Sequence, residues 1–346
     1  MARETFVRVT VWGGAVATIK DVAQRAGVAI STVSRILNGD PRARPDTVGR
    51  VRAAAADLGY APNALGRGLR TRSQSVWALV VADIENPLFT GATRGVEDVA
   101  SAAGYSVLLG NSDEDAVKEQ EYLRVAGRMR VAGMVLTPTS PRVDVTALRG
   151  SGIPVVCMDR PLGGRPPATD VVLVDTRTAA HQAVTRLVAE GARRVGCVTG
   201  ARRTFTTSER VAGYTEALAD AGQPVDPDLV RYTDFRVDLA RDATAVLLRE
   251  GVDALVVTSS LMTVGALGAV AEAGRRIGPD LRLATFDDAP WTSLLSPDIV
   301  LVSQPAYELG AEAGRMLLSR IADGDQPVRS VTLTASVGSR ARSAGR

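Results

Sequence analysis

A guanidinium set among small polar side chains on one helix face can read the edges of base pairs. Arg35 has that setting: Ile30, Ser31, Ser34, Arg35 and Asn38 recur at helical spacing, while Val33, Ile36 and Leu37 fall on the other side and point inward. The outward face is short, mostly polar and carries one long cation, which is what a helix laid in the DNA major groove requires. A surface helix of an ordinary domain can present the same face, and the spacing alone does not separate the two.

The neighbouring residues supply the frame that such a helix needs. Thr18 caps a first helix, with Asp21 three residues on as its acidic partner. Ile19, Val22, Ala23 and Ala26 then form one apolar stripe, and Gly27 stands where a chain leaving a helix takes positive φ. A third helix is predicted over 45–58, with Val48, Val51, Ala55 and Leu58 closing a small all-α core.

Residues 18–38 resemble the helix-turn-helix of the LacI/GalR family of bacterial transcription regulators. The likeness is carried by Asp21-Val22-Ala23, Ala26-Gly27-Val28 and Thr32-Val33-Ser34-Arg35-Ile36-Leu37-Asn38-Gly39. It implies that Ile30, Ser31 and Arg35 read bases and that Thr18, Thr32, Ser34 and Asn38 hold phosphates of double-stranded DNA. Where the family usually places Ser at the start of the recognition helix, this chain has Ala29, so a cap is missing. The block 61–75 resembles the family's hinge helix, with Asn63 and Arg67 on phosphates and Leu69 as a minor-groove wedge. Gly66 and Gly68 each cost that helix about 1 kcal/mol against Ala, which predicts a hinge unusually dependent on DNA.

The chain has 346 residues, 45% of them apolar, which suits a small headpiece joined to a large two-lobed body. Its net charge of +3 conceals an asymmetry. Residues 1–75 hold 12 basic and 5 acidic groups, and the remainder holds 29 and 33. A basic first fifth on an acidic body is the footprint of a nucleic-acid module. Residues 1–17 read as a disordered arm, since the apolar run after Arg8 is short and broken by Gly13-Gly14, unlike a secretory signal. Cys157 and Cys197 lie far apart in apolar runs and read as buried free thiols in a reducing cytoplasm. No run reaches the length of a membrane span, so no membrane partner is expected.

From Val76 onward apolar runs alternate with helical segments. Strands are predicted at 76–81, 105–109, 133–136 and 154–158, and the rhythm restarts at 171–174, 194–198, 254–257 and 281–286. Helices are predicted near 91–103, 114–128 and 178–190. The fold class is therefore α/β, with two Rossmann-like parallel-sheet lobes over 76–337, a tail over 338–346 and ligand at the carboxyl ends of the strands.

The family resemblance extends over this body, through Asp83-Ile84-Glu85-Asn86-Pro87-Leu88-Phe89, Met158-Asp159-Arg160-Pro161, Glu209-Arg210-Val211-Ala212-Gly213-Tyr214 and Phe286-Asp287-Asp288. It implies a periplasmic-binding-protein-like effector domain. Phe89 and Phe235 would wall its cleft, Asp159, Arg210 and Asp287 would bind hydroxyls, and Thr204, Thr206 and Gln304 would assist. Apolar walls with converging donors and acceptors suit a sugar. Where the family often has an Asn-Asp pair, this chain has Ser259-Ser260, so Ser259 is the candidate there and a carboxylate is lost.

Two other classes compete. An enzyme would need more than His181, the one histidine, which sits among alanines with no second histidine or metal-spaced cluster beside it. A transport-type sugar-binding protein would suit the body alone, without the headpiece. The expectation is thus a cytoplasmic, ligand-responsive repressor, binding a palindromic operator as a homodimer, with no cofactor and no metal. A dimer is expected because no leucine heptads follow Val337.

Overall fold

A computed structural model describes residues 17–37, 43–60, 75–164, 169–289, 291–292 and 299–339. The chain divides into two compact units, 1–73 and 74–346.

In the first unit, α1 (Ile19–Ala26), α2 (Ile30–Leu37) and α3 (Pro45–Asp57) enclose one core of Val22, Ala23, Ala26, Val33, Ile36, Val51, Ala54 and Ala55. The predicted stripes are the buried ones. The third helix ends one residue before the predicted boundary. Leu58 is its C-cap, half-buried against the same core, and its amide donates to the Ala54 carbonyl at 3.2 Å.

The second unit holds two six-stranded sheets. Lobe 1 contains β1 (Val76–Val81), β2 (Ser106–Asn111), β3 (Gly133–Leu136), β4 (Val155–Met158), β5 (Asp170–Val174) and β11 (Ser330–Leu333), all parallel, in the order β11-β5-β4-β3-β1-β2. Lobe 2 contains β6 (Val195–Thr199), β7 (Val230–Tyr232), β8 (Ala254–Val257), β9 (Arg282–Phe286), β10 (Val300–Ser303) and β12 (Ser336–Ser339). Its order is β12-β10-β9-β8-β6-β7, and β12 alone runs antiparallel. The strands β3, β4, β6 and β8 are buried along their whole length, because helices cover both faces of a parallel sheet. Hence they read as unbroken apolar runs.

One expectation needs correction. The strand at 170–174 does not begin the second lobe, contrary to expectation; it pairs with β4 and β11 and lies inside the first sheet, so the first strand of the second sheet is β6. The chain then passes between the lobes three times, at 174–176, 303–306 and 333–336. The two lobes repeat one plan, β1 to β5 matching β6 to β10 in sheet position.

Among the described residues the remaining α-helices are α4 (Pro87–Ala102), α5 (Ala116–Met129), α6 (Thr146–Gly150), α7 (Thr176–Ala189), α8 (Phe205–Asp220), α9 (Val237–Arg249), α10 (Ser260–Glu272) and α11 (Ala306–Ala322). Helix α4 starts four residues earlier than predicted because Asn86 caps it, accepting the Leu88 amide at 3.0 Å, with Pro87 in the first turn. Helix α5 starts later, since Asp115 is its cap and Asp113 and Glu114 are held at φ 58° and 55°. Helix α4 packs along α11, and α7 along α8. Each needs a glycine at the crossing: a Cβ on Gly95 would overlap the Tyr307 carbonyl, and one on Gly213 the Arg177 carbonyl.

Candidate DNA-reading face and effector cleft

In the headpiece the capping box is closed. The Thr18 amide and hydroxyl both donate to Asp21 Oδ2 at 2.7 Å, and these bonds hold the Asp21 carboxyl below its usual range. Gly27 takes φ 64°, and the Val28 amide donates back to the Ala23 carbonyl at 3.0 Å, which ends α1 and aims α2. Helix α2 is preceded by Ala29, which has no side-chain group to cap it; the Ala29 carbonyl accepts from Thr32 and Val33 at 2.9 and 3.1 Å. Ile30, Ser31 and Arg35 are exposed together, and Thr32 and Ser34 are half-buried. An isoleucine left 45% exposed costs apolar hydration, and a base methyl group would relieve it. Asn38, Asn63, Arg67 and Leu69 lie outside the described residues.

The body presents a cleft lined from both lobes at the carboxyl ends of parallel strands. The loop after β1 supplies Asp83, Asn86 and the start of α4 with Phe89; the loop after β2 supplies Glu114; the end of β4 supplies Asp159 and Arg160. Lobe 2 supplies Thr206 and Arg210 from α8, Phe235 after β7 and Asp287 after β9. Of the residues expected there, Phe89, Asp159, Thr206, Arg210, Phe235 and Asp287 line the cleft together. Thr204, Ser259 and Gln304 stand behind that lining. Thr204 and Ser259 are buried at the N-termini of α8 and α10, and Gln304 Nε2 donates to Asp287 Oδ1 at 2.5 Å.

Asp159 and Asp287 are both buried and both at φ 69°, a left-handed conformation costing a non-glycine residue roughly 1–2 kcal/mol. Burial pushes both carboxyls upward. Arg160 and Arg210 oppose that shift at Asp159, and Arg210 with Gln304 and the Ser260 amide opposes it at Asp287. Burial lowers Arg210, against the pull of Asp287 and Asp159. Arg210 Nη1 donates to the Thr258 carbonyl at 2.6 Å, and its guanidinium lies 4.7 Å from the Phe286 ring centre.

Among the polar atoms buried with no partner around this cleft are Asp159 Oδ1, Arg160 Nε, Arg210 Nε, Ser259 Oγ, Ser260 Oγ and Gln304 Oε1. Each such atom costs about 1–3 kcal/mol until something satisfies it. Four of these accept or can accept, and the two arginine nitrogens donate. A molecule carrying several hydroxyls answers that set, since each hydroxyl both donates and accepts.

Arg160 and Glu114 were not singled out in the sequence. Arg160 sits directly after Asp159 in a quoted family landmark, and that adjacency was the available signal. Glu114 read as the first residue of a helix. In the structure Arg160 Nη2 and Nη1 donate to the two Glu114 oxygens at 2.6 and 2.8 Å, and Phe235 covers the guanidinium at 5.5 Å. Burial alone would lower Arg160, but Glu114 and Asp159 outweigh it and hold the group charged. Gly200 makes room for Phe235, because a Cβ there would overlap its ring.

Residues 18–63 match the model of bacterial regulatory proteins of the lacI family, and residues 184–341 match that of the periplasmic binding protein-like domain. The chain is 33% identical to the ribose operon repressor of Bacillus subtilis over 307 residues, which is 88% of this chain and 92% of that one. Among solved structures it is similar to a transcriptional regulator CelR–cellobiose complex, with 30% identity, 93% and 98% coverage and a TM-score of 0.70. It is also similar to the transcription regulator CcpA of Lactococcus lactis, with 28% identity, 77% and 98% coverage and a TM-score of 0.71. The helix-turn-helix, the two-lobed body and the relatives sharing both show that this chain belongs to the LacI family of bacterial transcription regulators.

Proposed function

We propose that this chain is a transcriptional repressor that binds a near-palindromic operator as a homodimer and is controlled by a neutral sugar in the inter-lobe cleft. The observation that carries the sugar is the set of buried, unpartnered polar atoms beside Phe89 and Phe235. The names of relatives point the same way, one a ribose operon repressor and another solved with cellobiose. Ile30, Ser31 and Arg35 read bases; Thr18, Thr32, Ser34 and Asn38 hold phosphates. Asn63 and Arg67 grip the backbone at the operator centre, and Leu69 wedges the minor groove.

Each lobe leaves apolar side chains exposed that a second copy would cover. Leu108 and Leu109 lie on the edge strand β2, at 43% and 37% exposure, and Leu239 on α9 and Val264 on α10 at 43% and 45%. Exposed apolar side chains in both lobes suit an interface between two copies of the chain.

A solute-binding role would leave the closed capping box and the exposed Arg35 face without use. Calorimetric titration of the purified chain with neutral monosaccharides, D-ribose first, tests the reading. Saturable binding of one of them, with a changed affinity for a palindromic DNA fragment, is the expected result. Binding of no monosaccharide in the panel would remove the sugar from the proposal.

A further inference from the structure

Arginine is the residue whose planar fork best matches a phosphate or carboxylate. The cleft holds two arginines, and one of them is closed to that use. Both terminal nitrogens of Arg160 are taken by Glu114, at 2.6 and 2.8 Å. Nη1 also reaches the Pro138 carbonyl at 3.5 Å, and Nε faces Asp159 Oδ2 at 3.3 Å without hydrogen-bond alignment. We propose that Glu114 occupies the anion-binding fork of Arg160 so that the cleft accepts neutral polyols and rejects phosphorylated or carboxylated ones. This rests on the reading of the cleft as a polyol site.

The pairing is built into the backbone. Asp113 and Glu114 both take positive φ, and such a pair persists only where the surroundings fix it. Here the Ser112 and Glu114 amides donate to the Val81 and Ala82 carbonyls at 2.9 Å, and Asn111 Oδ1 accepts from Ile84 and Asp113 at 3.2 and 3.3 Å. Lobe 2 repeats the device at the matching place, with Asp234 and Phe235 at φ 48° and 60°. One copy brings a carboxylate to Arg160 and the other an aromatic ring. The pair is well shielded from solvent, the side chains being 5% and 19% exposed.

Charge points the same way. Asp83, Glu114, Asp159 and Asp287 face the cleft against Arg160 and Arg210. An anionic ligand would meet more carboxylates than cations, in a site where screening is weak.

The test compares the full chain with Glu114→Gln and with Asp113→Asn, which removes an exposed charge one residue away. Inorganic phosphate, with ionic strength held constant by chloride, is the first probe, read by calorimetry and thermal shift. D-ribose against D-ribose 5-phosphate is the second. The parent chain should show no specific phosphate binding and should prefer the unphosphorylated sugar. Glu114→Gln should gain phosphate binding and shift the sugar preference toward the phosphate by about tenfold or more, whereas Asp113→Asn should do neither. Phosphate binding by the parent, no gain in a folded Glu114→Gln, or an equal gain in Asp113→Asn would each overturn the proposal. Should Glu114→Gln not fold, the parent's preference between the two sugars decides. If no neutral sugar binds the parent, the polyol reading fails while the phosphate probe still decides the role of Glu114.

Discussion

Asp159 and Asp287 are structural counterparts, the first residues beyond β4 and β9, which hold matching places in their sheets, each buried and each at φ 69°. Their surroundings differ. Asp287 is held by Gln304 and lies 3.4 Å from the Ser260 amide at the N-terminus of α10, while Asp159 keeps one oxygen without a partner. Asparagine tolerates this left-handed backbone better than alanine does. Asp159→Asn should therefore fold normally and lose about 1.5–3 kcal/mol of effector binding, the usual worth of a hydrogen bond to a charged group. Calorimetry against the bound sugar measures it, and an unchanged affinity would remove Asp159 from the site.

The same two carboxyls predict a pH dependence. Burial raises both above the ordinary carboxylate range in the folded chain. The folded state then holds protons that the unfolded state has released. Their contribution to stability is full below the unfolded pKa and is lost as pH rises through the folded one. Ligand hydroxyls donate to the ionised form, so binding should release protons and strengthen as pH rises through that window. Titrations in buffers of different ionisation enthalpy count the protons. No release at any pH between the ordinary and raised values would contradict the assignment.

At the other end of the chain, α2 lacks a side-chain cap at Ala29. Ala29→Ser should stabilise the headpiece by about 0.5–2 kcal/mol, because Ser at that position accepts an orphan amide of the first turn. Urea unfolding followed by circular dichroism measures this, and equal midpoints would mean that the helix start is satisfied some other way.

Arg35→Ala should cost about 1–3 kcal/mol of operator affinity and relax the sequence preference. Competition between the operator and single-base variants separates the two effects. A loss equal on every sequence would make Arg35 a phosphate contact.

The contact of α4 with α11 predicts a stability effect at residues that do not themselves line the cleft. Gly310→Ala places a Cβ onto the Ala92 carbonyl, and overpacking against backbone costs about 1–3 kcal/mol. A lowered urea midpoint with unchanged slope is expected, and an unaltered midpoint would refute the packing.

The headpiece was legible because its information is local: a cap, an apolar stripe and a glycine turn lie within ten residues, and each depends on near neighbours. The strands of the body were legible as apolar runs for a related reason, since burial on both faces leaves no polar alternation. Which sheet a strand joins is a long-range property. The run at 171–174 looks the same in either lobe, and only its pairing with β4 and β11 decides. The cleft followed the same division. Asp159 and Asp287 stand out after apolar strands, whereas Glu114 acquires its role from two left-handed residues and from Arg160, 46 positions along the chain.

A repressor controlled by a sugar requires coupling between the cleft and the DNA-reading face. Operator affinity of the full chain, measured by fluorescence anisotropy with and without the sugar found by calorimetry, tests this most directly. A change of roughly 5–150-fold is expected in the parent chain, and none in an Arg210→Ala chain that still binds operator. Operator affinity indifferent to a sugar that saturates the cleft would contradict it.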